Sequence, residues 1–145
     1  MANTDLRDIG TSVIAGSEGD EEIIPALGNG VGIPGDLVSI GSDRKIVGAD
    51  LGASELLTGI LKESKITGTE TAPGDGVPCS VVVPKSGRLY RIRILDQTGA
   101  KEIGYGLHVS ATAYKATVAA DVNNAMFTLA RPIANGDTVA TVRKT

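Results

Sequence analysis

The chain has 145 residues, with 14 Lys and Arg against 17 Asp and Glu, and a formal net charge of −3. That length suits one domain. No basic cluster longer than two residues occurs, and binding a phosphate backbone needs several cations close together, so a direct nucleic-acid partner is not expected.

The single Cys79 excludes an intramolecular disulfide. No apolar run approaches the roughly 20 residues that cross a bilayer, and the polar start "MANTDLRDIG" does not read as a signal peptide. The expectation is a soluble protein made in the cytoplasm, with no membrane partner. Three Tyr, one Phe and no Trp leave a core of aliphatic side chains. Aromatic residues bury about 150–250 Å² each, so such a core has a thinner margin. Either the aliphatic core suffices alone or neighbouring subunits share the burial.

Residues 1–22 read as an arm, and residues 23–145 as a single β-rich domain. The arm scatters Leu6, Ile9, Val13 and Ile14 among polar residues and ends in a glycine-rich acidic stretch. Alone it buries too little to offset an ordering entropy of about 1–2 kcal/mol per residue. Its apolar residues, with Arg7, are therefore candidates for contact with a neighbour.

From residue 23 onward, short β-branched runs alternate with Gly, Pro, Asp and Asn clusters. The expected strands are 22–25, 37–40, 45–48, 58–62, 79–83, 88–95, 107–110, 115–119, 126–130 and 138–143. Turn signals about every ten residues indicate an all-β fold, a small barrel or sandwich of short antiparallel strands. A helical turn is expected in "DLGASELL", capped by Ser54, and another between Gly99 and Gly104. Both are too short to form a layer. "GDLV" at 35–38, "GDGV" at 74–77 and "GDTV" at 136–139 share one turn chemistry. Their unequal intervals do not indicate a repeat architecture.

The alternation is clearest in "RLYRIRIL". Tyr90, Ile92 and Ile94 point one way; Arg91 and Arg93 point the other. The two arginines either pair with acids on a neighbouring strand or face a partner.

Groups for catalysis are sparse. His108 alternates to the face opposite Leu107 and Val109, and reads as a surface histidine rather than a general base. Cys79 reads as a small core residue rather than an activated thiolate. One His and one Cys make no zinc pattern, and Asp20-Glu21-Glu22 lacks the spacing of a calcium loop. The glycine-rich loops lack the Lys-Ser/Thr of a P-loop. No cofactor, metal or catalytic residue is expected.

Between residues 23 and 95 the order of segments carries a resemblance. A "GDLV" strand at Gly35–Val38 is followed by a Lys/Val hairpin at Lys45–Val47, a Gly-Ile-Leu strand at Gly59–Leu61 and a strand over Val77–Val83. This resembles the capsid decoration proteins, also called cement or head-stabilising proteins, of tailed double-stranded DNA viruses. The resemblance implies a compact β-rich domain, usually a homotrimer, on the capsid exterior of the virion. It implies the major capsid protein as partner, and an N-terminal arm that orders on the shell or on a sister subunit. Such proteins strengthen an expanded lattice by bridging capsomers and catalyse nothing.

Two other readings stand beside it. One is a non-catalytic β-sandwich binding module of carbohydrate or carrier type, for which the aromatics are few and Lys45 sits on no lipoyl-like hairpin tip. The other is an enzyme using scattered carboxylates.

Overall fold

A computed structural model of the chain describes residues 2–16, 21–49, 59–66, 68–110 and 114–145. Ten strands follow one another: β1 Glu22–Leu27, β2 Leu37–Ile40, β3 Ile46–Gly48, β4 Gly59–Leu61, β5 Pro78–Val83, β6 Leu89–Arg93, β7 Gly106–Val109, β8 Ala116–Ala119, β9 Phe127–Leu129 and β10 Val139–Lys144. Each coincides with a run expected from sequence. The alternation of β-branched residues with turn formers suits a pleated, half-buried surface.

The strands form two five-stranded antiparallel sheets, ordered β1-β5-β4-β2-β3 and β6-β10-β9-β7-β8. The fold is an all-β sandwich. The helical turn expected between Gly99 and Gly104 is absent: Lys101 instead bridges Ile133 in extended form. Glycine at both ends of a four-residue window leaves too few residues to nucleate a helix. The turn expected in "DLGASELL" lies outside the described residues.

The two sheets repeat one topology. Adding five to each strand number of the first order gives the second. Within each sheet the outer strands also touch at one end. Leu27 N–H donates to Arg44 O at 2.9 Å, and Leu95 N–H donates to Ala116 O at 2.9 Å. Parallel bridges pair Leu27 with Lys45 and Ile94 with Ala116. Each half is thus curled almost into a small barrel. The unequal spacing of the Gly-Asp-x-Val segments hid this repeat, yet two of them occupy matching places, "GDGV" before β5 and "GDTV" before β10.

The Gly-Asp turns are built alike at β2 and β10. Asp36 N–H donates to Ile33 O, and Asp137 N–H to Ala134 O. Each Asp carboxylate accepts a return bond, from Ile33 N–H and Ala134 N–H, both at 2.8 Å. Gly35 and Gly136 hold φ of 93° and 86°, which glycine adopts without a Cβ penalty.

Alternation places Leu37, Ile60 and Val82 of the first sheet against Tyr90, Ile92, Leu107, Phe127 and Val142 of the second. The adjacent residues Val38, Leu61 and Val81 face the other way and form a second cluster with Ala26 and Ile46. The first sheet therefore buries both its faces. The halves are stitched where β2 starts: Arg93 N–H donates to Gly35 O, and Leu37 N–H to Tyr114 O. Beside them Lys115 pairs with Asp36, whose carboxyl burial raises above its ordinary value against the pull of that lysine.

The expected extended arm is not what residues 2–16 form. They fold back along the second sheet, with Leu6 and Val13 fully buried and Ile14 nearly so. Arg91 N–H donates to Val13 O, Ala15 N–H donates to Leu89 O, and Ile14 bridges Tyr90. The segment joins β6 through one antiparallel bridge and these backbone bonds, and it covers that edge as sandwich proteins commonly must. Its apolar residues find their partners in this chain's own core.

Candidate functional site

The N-terminal segment is fastened by side chains from three other regions. It begins with a 3-10 turn at Leu6–Asp8, capped by Asp5. Arg7 N–H donates to Asp5 Oδ1, and Asp5 N–H to Asp8 Oδ2, a reciprocal capping arrangement. The Arg7 guanidinium turns back onto Asp5 at 2.6 Å and holds that carboxyl well below the usual carboxylate range. Arg7, a candidate for partner contact, thus serves its own turn. Ile9 lies partly buried against the main core.

Two glutamates of the β4–β5 connection grip this segment. Glu70 Oε2 accepts from Leu6 N–H at 3.2 Å and from Arg93 Nη2 at 2.6 Å. Glu63 accepts from Ser12 Oγ at 2.8 Å and from Val13 N–H at 3.0 Å. Burial raises the Glu63 carboxyl, but the bonds from Val13 and Ser12 outweigh it, and the net displacement is downward.

A depressed carboxyl contributes stability that is present above its unfolded value, near 4.5, and is lost as pH falls through the folded one. Acidification below about pH 4.5 should therefore loosen this grip. Glu63→Gln should flatten the dependence of the unfolding midpoint on pH between about 3 and 5, measured by circular dichroism. An unchanged acid limb would contradict the assignment.

Arg91 and Arg93 were expected side by side on an outer face. Arg93 is instead buried, at 5% exposure. Its Nε donates to Pro34 O at 2.7 Å, and its Nη2 donates to Thr69 O at 2.8 Å as well as to Glu70. The acid it pairs with comes from a connection rather than a neighbouring strand. Arg91 is half-buried, and its Nη1 donates to Ser12 O at 2.8 Å. Neither arginine projects from an open face, because the folded-back segment and the β4–β5 connection cover the side that alternation left outward.

The remaining reactive groups are ordinary. His108 is half-buried on β7, its Nε2–H donating to Asp121 O at 2.8 Å. Cys79 is partly buried beside the second core cluster, and burial pushes its thiol up, opposite to an activated thiolate. Among the described residues, no group of three or more His, Cys, Asp and Glu is placed to hold a metal ion. No helix among them is long and apolar enough to cross a membrane.

The surface depressions among the described residues include a groove and a cavity. A groove of about 280 Å³ is lined by Pro34, Ile66, Pro73, Val77, Pro78 and Cys79, among others. Ile66 is 95% exposed and Val77 49%. A cavity of about 300 Å³ lies between the N-terminal segment and β10, with Asn3, Arg91, Arg131 and Asp137 in its wall. Sequence reading singled out Arg91 and Ile9 of that wall as candidates for contact, and Asp137 and Val139 only as part of a Gly-Asp turn. Asn3 lies far in sequence from Arg131 and Asp137, and no local pattern links the three. The sequence matches no protein-family model and no curated protein.

Proposed function

We propose that this chain is a viral capsid decoration protein, a non-catalytic clasp that binds the exterior of an expanded capsid and bridges capsomers. Its partners are then the major capsid protein and two further copies of itself in a homotrimer. One observation carries the reading. The four segments on which the resemblance rests lead into or form β2, β3, β4 and β5, and those strands are consecutive neighbours in one sheet. A pattern drawn from four separated stretches of sequence thus describes one contiguous part of a sheet.

Beside that sheet lies the groove holding Ile66 and Val77. Exposed large apolar residues clustered in one depression mark a protein-binding surface more often than an inert one. With the N-terminal segment folded into the core, contact with the shell falls to this groove rather than to a free arm. Several modest contacts by one trimer gain strength from high effective concentration.

Co-sedimentation with capsid shells tests this. The chain should pellet with DNA-free expanded shells of a tailed double-stranded DNA virus and not with unexpanded precursors. Ile66→Asp with Val77→Asp, both at exposed positions, should weaken that binding about tenfold or more while leaving the unfolding midpoint in place. Failure to bind expanded shells, or equal binding to both forms, would reject the reading. Light scattering should give the mass of three chains.

A further inference from the structure

Two guanidiniums, Arg91 and Arg131, share the wall of the cavity against the N-terminal segment with one carboxylate, Asp137. Arg91 is fixed in its wall from one side. Nη1 is bonded to Ser12 O, and the guanidinium lies so close to Gly10 that an added Cβ would sit 2.2 Å from Cζ. Its Nε is buried and has no partner. Arg131 stands exposed in the same wall. Among the described residues, neither guanidinium has an ion pair within 4.0 Å.

Burial lowers the Arg91 pKa, and repulsion from Arg131 lowers it further, against a smaller attraction from Glu63. Glu63 is already committed to Ser12, Val13 and Lys62. Asp137 is likewise satisfied, accepting from Asn3 N–H at 2.6 Å and Ala134 N–H at 2.8 Å.

A buried polar atom without a partner in a native fold calls for a water or an ion, and two guanidiniums beside one cavity call for an anion.

We propose that this cavity binds a carboxylate on a short apolar stem. The guanidinium fork suits the two oxygens of a carboxylate, and Asn3 lies within the same wall. Ile9, Ile133 and Val139 supply apolar surface for the stem. The fixed negative charge of Asp137 disfavours a dianion such as phosphate. Two sources carry this chemistry, a free aliphatic acid or an acidic side chain of a neighbouring protein. The assignment stands apart from the capsid reading, and a failure to bind shells would leave it untouched.

Nitrogen-15 NMR of the full chain tests it, with sodium butyrate and butyramide as one probe pair and blocked Ala-Glu-Ala and Ala-Gln-Ala peptides as the other. Butyrate should shift the Arg91 Nε–H and Asn3 side-chain signals saturably at millimolar concentration, and butyramide should not. Arg131→Gln, at an exposed position, should keep the spectrum of the folded chain and weaken butyrate binding about tenfold. A glutamyl peptide that binds more tightly than butyrate identifies a protein source; the reverse order identifies a free acid. No saturable shift at Arg91, equal binding of butyramide, or undiminished binding by the Arg131 variant would overturn the proposal, as would phosphate binding as tightly as butyrate.

Discussion

Leu6→Ala is expected to destabilise the isolated chain by about 2–5 kcal/mol, as large-to-small changes in packed cores do. Leu6 is fully buried and belongs to the main cluster shared by the two sheets. Its backbone N–H is also bonded to Glu70, so the site is anchored and has little freedom to collapse around the lost volume. Total stabilities of such domains lie at about 5–15 kcal/mol, so one residue near the N-terminus carries a sizeable fraction of the whole. Arg7→Ala removes an exposed side chain that pairs with its own cap, Asp5, and should leave the unfolding midpoint close to that of the parent.

The contrast between these neighbours is the diagnostic. A free arm would leave both variants as stable as the parent and impair only partner binding. A segment integral to the sandwich makes Leu6→Ala unstable in the absence of any partner. Urea unfolding of both variants, each as a purified chain, decides between them. A Leu6→Ala midpoint equal to that of the parent would show that the segment does not pack as described.

The ten strands were readable because each is defined locally. In "RLYRIRIL" apolar residues alternate with arginines after Gly87, and in Cys79–Val83 a valine run ends at Pro84, so neighbours in sequence suffice. What was not readable depends on pairings between distant parts of the chain. Ile14 pairs with Tyr90, and nothing around Ile14 says which edge awaits it. Its apolar character was visible, but its destination was not.

Alternation likewise assigned Arg91 and Arg93 to one face correctly, yet alternation says only that a strand has two faces. Whether the second meets solvent depends on what covers it, here residues 2–16 and the connection carrying Glu63 and Glu70. The repeat of topology was hidden for a related reason. A strand order can recur with no more sequence likeness than apolar alternation, because the core requires only that much and the loops are free to differ in length. Of the charged cavity, Arg91 stood out in sequence as a candidate for contact and Asp137 only as a turn former, while Asn3 and Arg131 carried no signal.

Arg93→Met should lower stability by about 3–5 kcal/mol, the range for breaking a buried ion pair by removing one member. Three acceptors lose their donor together: Pro34 O, Thr69 O and the Glu70 carboxylate. They belong to the loop before β2 and to the β4–β5 connection, so one side chain ties three segments of the chain at the junction of the sheets. Arg93→Lys should recover little of the loss. A lysine ammonium is a single compact point charge, while Nε and Nη2 of the guanidinium reach separate carbonyls from a rigid planar frame.

Glu70→Gln alone should cost less than Arg93→Met, because the Glu70 side chain is 30% exposed and water can serve what remains. In the double variant Arg93→Met/Glu70→Gln, the stranded carboxylate is gone, and the combined loss should fall short of the sum of the single losses. Chemical unfolding of the four proteins gives that coupling directly. If the losses simply add, Arg93 acts as packing volume and its charge is incidental. If they do not, the arginine that alternation placed on an outer face is the electrostatic pin that joins the N-terminal turn, the β4–β5 connection and the second sheet.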